Sequence, residues 1–415
     1  MSLPRFAGLW RHDDFVRLWF GQTVSVFGSL VGTTAISFTA ILVLQASPFQ
    51  LGLLSAARLV PGLLAGLAAG TWVDRMRRRP LLIGADIGRG VLLATIPVAA
   101  VLGVLRIEQL YVVTLLVSVL TILFDVAYQS YLPSLVDRSD LLEGNSKLTA
   151  SAAVAEVSAF GVGGWLVQLV TAPMAILVDA FSFIVSAIAL GRIRTPEPAL
   201  TNDLQQGMRR EIVEGLRAVM DHPVLRATTL CKLSQELFTG MYGTLVVLYV
   251  ARDLGFSPGA LGTIWAVGGL SALLGAAATE RVTRRVGIGP AMTVGLLASG
   301  VSLFFIPLAQ GVGLVAVLLL LLQQLGGDGA ATVYEINNVT LRQSVAPERL
   351  LGRVNASAQF VGLGGTLVGS LLGGLLGELI GVRATLFLGA AGAMFSVVWL
   401  YRSPVWGLQT VDGRR

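Results

Sequence analysis

Four ionisable side chains stand near the middle of long apolar runs: Arg58, Glu156, Lys232 and Glu236. A charge at such a depth costs a few kcal/mol to insert, about 2.5–3.5 kcal/mol on insertion scales, so each is read as functional by default. A carboxyl group in a cavity of low polarity can bind and release a proton near neutral pH. Glu156 and Glu236 are the two best placed for that chemistry. Lys232 precedes Glu236 by one helical turn, so the two either form a pair that only offsets burial or leave Glu236 free to handle protons. Arg58, followed by Pro61, either binds an anionic group or neutralises Glu156. Asp86 and Arg89, three residues apart, read as a structural pair, and they fall, with Asp125, Asp179, Asp328 and Glu335, nearer the ends of their runs. Polar side chains at similar depth, namely Gln22, Gln235, Tyr242, Gln323, Asn337, Asn338 and Gln359, are candidates to line a path.

The elements that must position these groups are membrane helices. The chain has 415 residues, 54% of them hydrophobic and 13% charged, where soluble chains spend about a quarter of their residues on charge. The apolar residues fall in blocks of about twenty, such as Leu51–Trp72, Leu81–Leu105, Tyr111–Leu132 and Ala384–Leu400, enough to cross a hydrocarbon core of about 30 Å. Alternation of polar and apolar residues is missing, which excludes a transmembrane barrel. Cys231 is the single cysteine, so neither an intramolecular disulfide nor a cysteine metal site can form. The two histidines, His12 and His222, lie outside the apolar runs, and no HExxH, GxSxG or GxxxxGK[ST] motif occurs. No enzyme activity, ATP hydrolysis or cofactor is expected.

The net charge of +6 does not point to nucleic acid, because the basic residues cluster at alternate ends of the apolar runs. One set includes Arg75, Arg77, Arg78 and Arg79, Arg192 and Arg194, Arg281, Arg284 and Arg285, and Arg349 and Arg353; the opposite set is Arg106, Arg252 and Arg383. The asymmetry assigns the first set, and both termini, to the cytoplasm. Twelve spans are predicted, at 15–44, 50–72, 80–104, 109–133, 145–170, 172–191, 223–251, 257–280, 288–309, 312–341, 352–378 and 381–402. They group as a six-helix half over 1–191, a cytoplasmic linker over 192–222 with a mixed-charge helical stretch Met208–Met220 at the membrane surface, and a second six-helix half over 223–415. Asp74-Arg75-Met76-Arg77-Arg78-Arg79 after the second span recurs as Glu280-Arg281-Val282-Thr283-Arg284-Arg285 after the eighth, so the halves share one orientation. Glycine is frequent in the eleventh span, at Gly362, Gly364, Gly365, Gly369, Gly373, Gly374 and Gly377, which suits either a sliding interface or plain close packing.

The segment Gly70-Thr71-Trp72-Val73-Asp74-Arg75-Met76-Arg77-Arg78-Arg79-Pro80 resembles the loop signature between helices two and three of the major facilitator superfamily. Further segments, among them Arg58-Leu59-Val60-Pro61, Leu141-Leu142-Glu143-Gly144-Asn145-Ser146, Val178-Asp179-Ala180-Phe181-Ser182-Phe183 and Val345-Ala346-Pro347-Glu348-Arg349-Leu350-Leu351-Gly352-Arg353-Val354, resemble the branch containing the enterobactin exporter and the macrolide efflux proteins. The resemblance implies an all-α membrane protein with the major facilitator fold, a monomer in the bacterial inner membrane. It also implies export of hydrophobic or amphipathic small molecules by proton antiport and alternating access, or else dedicated export of a siderophore or other secreted natural product. In that picture Gly70, Asp74, Arg75, Arg78, Arg79 and Asp125 form a cytoplasmic gate, with Asp74 set against the start of the eleventh helix.

Overall fold

The computed structural model describes residues 8–65, 76–195 and 208–409. Gly70, Asp74 and Arg75 lie outside the described residues, and so does the centre of the loop signature. Among the described residues the chain is helical and contains no strand. The helices are α1 (Asp13–Phe38, continued by a π-helical turn Thr39–Val43), α2 (Pro48–Ala65), α3 (Arg78–Val101), α4 (Ile107–Leu135), α5 (Leu141–Val170), α6 (Ala172–Gly191) and α7 (Met208–Asp221). They continue with α8 (Pro223–Leu248, continued by a π-helical turn Tyr249–Asp253), α9 (Pro258–Val286), α10 (Ile288–Ser302), α11 (Leu314–Val345), α12 (Leu351–Leu379) and α13 (Val382–Phe395). Leaving α7 aside, a helix stands at each of the twelve expected places. Among the described residues nine are long and apolar enough to cross a membrane, and α5 makes a tenth when its parts Leu141–Ala159 and Gly161–Val170, bent by 45°, count as one span. The described part of α2 is short, and α8 carries Lys232, Ser234, Gln235 and Glu236 around its middle, which lowers its hydropathy.

Local chemistry starts and ends these helices. His12 caps α1 by accepting a hydrogen bond from the Phe15 amide at its ring Nδ1, 3.2 Å away, and Asp13 and Asp14 fall where the helix dipole favours negative charge. Ser257 caps α9, its hydroxyl oxygen accepting from the Ala260 amide at 3.3 Å, and Pro258 follows at the first helical position. The turns after the first and fifth spans use Gln45 (φ 52°) and Thr171 (φ 79°); after the seventh and eleventh spans, glycines take the same places, Gly255 (φ 86°) and Gly381 (φ 89°). Side chains in that region are strained by about 1–3 kcal/mol each. Thr171→Gly is therefore expected to raise the melting temperature of the detergent-solubilised protein, and a drop on this substitution would contradict the reading.

The chain forms two compact units, one of residues 1–45 and 60–205 and the other of residues 46–59 and 206–415, so that the start of α2 belongs to the second. In the first unit α1 packs on α5 and α6, and α3 packs on α4 and α6. In the second, α8 packs on α12 and α13, and α10 packs on α11 and α13, which repeats the same wiring six spans later. Each unit has its own apolar cluster: Phe15, Leu18, Leu82, Phe124, Tyr131 and Leu190 in the first, and Cys231, Ile288, Met292, Tyr334, Leu341 and Leu400 in the second.

The helical stretch of the linker packs against the second unit. Helix α7 packs on α12, where Val219 joins Leu225, Ala346 and Val354 in a small apolar cluster. Glu214 pairs with Arg353, and Gly215 touches the Arg353 carbonyl, an approach that its missing side chain allows. The physical reason is that one face of this charged helix is apolar, and burying it against α12 removes that face from water.

Between α8 and α12 the glycine stripe sets the distance. A Cβ added at Gly365, Gly369 or Gly373 would fall 2.9, 1.9 and 2.6 Å from the carbonyl oxygens of Leu233, Leu237 and Met241. The matching steps of four show two helices running in parallel with their backbones in contact. Gly364 points away, with nothing within 4 Å of its Cβ position.

Candidate functional site

Two clusters of ionisable groups form inside the helices, one in each unit. In the second unit, Lys232 of α8 is held 3.4 Å from Glu236 one turn later on the same helix and 3.4 Å from Glu335 of α11. Thr366 of α12 donates its hydroxyl to Glu236 Oε2 at 3.0 Å. Gly362 of α12 faces the Lys232 stem, its Cβ position 3.1 Å from Lys232 Cε, so a larger residue would compete with the lysine for space. At about 1.5 Å per residue, Lys232 and Glu236 lie roughly 14–20 Å along α8, close to the middle of a bilayer. The Lys232 side chain is 16% exposed, Glu236 34% and Glu335 47%, so the cation is enclosed while both carboxylates keep access to small solutes. One cation between two carboxylates is an arrangement that accepts a single proton without a charge imbalance. The intrahelical pair that the sequence left open exists, and it is shared with a third group.

In the first unit, Asp86 and Arg89 of α3 are paired and fully enclosed, with side-chain exposures of 0% and 4%. The Arg89 guanidinium lies between the rings of Phe124 (4.4 Å) and Phe183 (4.1 Å), and one of its nitrogens donates to the Thr121 hydroxyl at 3.4 Å. Asp179 of α6 is buried at the seam with α1, where Ser29 donates to its Oδ1 at 3.4 Å and Gly32 abuts its Oδ2. Asp125 of α4 is exposed and lies within electrostatic reach of Arg89. Between α1, α4 and α5 runs a cavity of about 230 Å³ lined by Gln22, Thr23, Tyr128, Asn145 and Thr149 with apolar neighbours. Gln22 Oε1 and Tyr128 Oη face inward with no hydrogen-bond partner among the described residues.

The other sequence-derived candidates separate by position. Glu156 on α5, Arg58 on α2 and Gln359 on α12 are exposed, and neither Glu156 nor Arg58 makes an ion pair among the described residues. Gln235 is half-buried on α8. Tyr242, Gln323, Asn337 and Asn338 are placed inside helix packing and not on an open surface. Tyr242 donates to the Leu303 carbonyl at 2.9 Å, and Asn337 Oδ1 accepts from Thr283 at 2.9 Å. Arg78 donates to the Ser130 carbonyl at 3.1 Å, and Arg79 to the Leu190 carbonyl at 3.1 Å and the Gly191 carbonyl at 2.5 Å. Arg79 thereby neutralises the negative end of α6, a use of basic residues that helix dipoles favour.

Three residues acquire importance only in three dimensions. Glu335 is brought to Lys232 from 103 residues away, Asp179 is brought to the Arg89 region, and Asp328 on α11 sits over Gly268 of α9 beside Gln324 with no ion pair among the described residues. The one available signal was that each is an acid inside an apolar run.

A bundle of spans in two similarly wired units, with paired charges held at mid-span, defines a membrane transport protein rather than an enzyme. The model of the Major Facilitator Superfamily matches residues 18–366, and the chain belongs to that family. It is 26% identical over 372 residues to the uncharacterized MFS-type transporter YfiS of Bacillus subtilis (strain 168), covering 86% of this chain and 85% of that protein. It is 28% identical over 335 residues to the multidrug efflux pump Tap of Mycolicibacterium fortuitum, covering 78% and 80%. Among solved structures, the fold is similar to that of the nucleoside transporter NupG, with a TM-score of 0.74, 14% identity and coverage of 94% of this chain and 97% of that one. A bacterial homologue of the iron transporter ferroportin, in its inward-facing state, gives a TM-score of 0.74 at 17% identity, with coverage of 95% and 99%.

Proposed function

We propose that this transporter exports amphipathic small molecules from the cytoplasm in exchange for protons, and that it belongs near the enterobactin exporter and macrolide efflux branch. The observation that carries the coupling is Lys232 held 3.4 Å from both Glu236 and Glu335. With both acids ionised the cluster has one negative charge in excess; a proton on either removes it and leaves Lys232 paired with the other. Because Glu236 is on α8 and Glu335 on α11, moving the proton between them changes which helix the lysine holds. Access alternating between the two faces of the membrane would follow from that exchange. The cavity in which Gln22, Thr23, Tyr128, Asn145 and Thr149 stand beside Val26, Leu148 and Ala152 suits a ligand that combines several hydrogen-bonding groups with apolar surface. The relatedness to a multidrug efflux pump supports the same direction of transport.

Everted vesicles carrying the protein test this reading with fluorescent cationic dyes and macrolides. Accumulation is expected when a proton gradient is imposed, to vanish when it is collapsed, and to be lost in Glu236→Gln and Glu335→Gln while downhill movement of preloaded substrate persists. Accumulation undiminished in both variants would remove the cluster from coupling. Indifference to the gradient would remove proton exchange altogether.

A further inference from the structure

The first unit holds a charge cluster that the Lys232 reading does not use. Asp86 is 0%, Arg89 3% and Asp179 4% exposed, a degree of enclosure at which an unpaired ion is strongly disfavoured. The groups do not balance: one guanidinium faces two buried carboxylates. The geometry also says which carboxylate Arg89 serves. Its terminal nitrogen is in a direct ion pair with Asp86 Oδ1, and the aromatic rings of Phe124 and Phe183 fix the guanidinium plane from both sides. Asp179 has no direct ion pair among the described residues; Ser29 donates to it at 3.4 Å, Ser182 is a second hydroxyl beside it, and Arg89 lies within electrostatic reach. Its second oxygen lies 2.1 Å from where a Cβ on Gly32 would stand, so α1 closes over the carboxyl on that side.

The surroundings add a second observation. Asp86 Oδ2, an acceptor, and Arg89 Nε, a donor, are buried within the cluster with no hydrogen-bond partner among the described residues, so the cluster is under-satisfied around Arg89 as well as at Asp179. The other titratable groups near Arg89 come from α4, where Asp125 is exposed and Tyr128 is half-buried; α1 contributes Ser29, which is not ionisable.

We infer that Asp179 is a second proton-binding site, carrying a proton in the resting protein at the seam between α1 and α6. Its release takes the hydrogen from the carboxyl group to water and leaves a carboxylate, which places Asp179 and Asp86 in competition for Arg89. That competition acts on α3 and α6, while the Ser29 and Gly32 contacts bring α1 into it. The site is separate from Lys232 in chain and in unit, and the inference stands whether or not Lys232 couples transport.

The test is infrared difference spectroscopy of the full-length protein in detergent at neutral pH, reading the carbonyl stretch of protonated carboxyl groups. Asp179→Asn should delete a band that Glu236→Gln leaves in place. It should also melt close to wild type, because an amide is nearly the shape of a neutral acid. Asp86→Asn should remove the same band without touching Asp179, since Arg89 then recruits Asp179 as its partner and ionises it. A spectrum unchanged by Asp179→Asn overturns the inference. So does a strong loss of thermal stability in Asp179→Asn with Asp86→Asn unaffected, which would make Asp179 the ionised partner of Arg89.

Discussion

Replacing Arg89 by leucine should destabilise the protein by about 3–5 kcal/mol, the usual cost of removing one member of a buried ion pair. The substitution leaves Asp86, fully enclosed, without its cation, and it also removes the contacts to the Phe124 and Phe183 rings, each worth roughly 0.5–2 kcal/mol when desolvated. Lysine should not rescue it. An ammonium cannot stack between two rings as a planar guanidinium does, and its single nitrogen would have to replace two that reach Asp86 and Thr121 from separate positions. The double change Arg89→Leu with Asp86→Leu should recover part of the loss, because no ion is then left uncompensated. Thermal unfolding of the detergent-solubilised variants reads all three results. An Arg89→Leu protein as stable as wild type would show that the cluster is hydrated and not enclosed.

The second large effect is expected at Gly369. A Cβ there falls 1.9 Å from the Leu237 carbonyl oxygen, far inside van der Waals contact and against backbone that has no rotamer to change. Gly369→Val must push α12 off α8, at a cost of about 1–3 kcal/mol or more for overpacking. It also stretches the 3.0 Å hydrogen bond from Thr366 to Glu236, which lies one turn away. Folded yield and melting temperature should fall together, and gradient-driven accumulation should fall further than the remaining folded protein explains. Gly364→Val is the control: its Cβ meets nothing within 4 Å, and it should behave as wild type. Equal damage from both substitutions would mean that the glycines act through helix propensity and not through contact.

The fold was legible because a bilayer leaves few choices. A run of about twenty apolar residues must be a helix, and the alternating basic clusters order the spans. What single-sequence reading handled poorly was direction around each helix. Tyr242, Gln323 and Asn337 have the right depth for a path, yet they are buried in helix packing, and the hydrogen bonds of Tyr242 and Asn337 go to packed neighbours. Depth along a helix follows from residue number at a fixed rise, while the face a residue presents depends on which helices pack there. The Lys232–Glu236 pair was visible because it is local. Glu335 was not, since its relation to Lys232 depends on α8 meeting α11, and a boundary error of a few residues puts it nearer a helix end. The same holds for Asp179, whose meaning depends on α3, α4 and α6 converging on Arg89. For the linker, composition announced an amphipathic helix but not the Glu214–Arg353 pair that gives it a docking partner.

The paired turns make this chain its own internal control. Where the second unit bends at Gly255 and Gly381, the first bends at Gln45 and Thr171, so one backbone course is drawn twice with different residues. Two copies that share a wiring diagram and each close their own core can drift apart one position at a time, since a loss in one is not a loss in the other. Lys232 stands on the counterpart of α1 and Arg89 on the counterpart of α10, so the two charge clusters occupy different places in the shared wiring. A chimera carrying two copies of either unit would ask how far that shared wiring still holds.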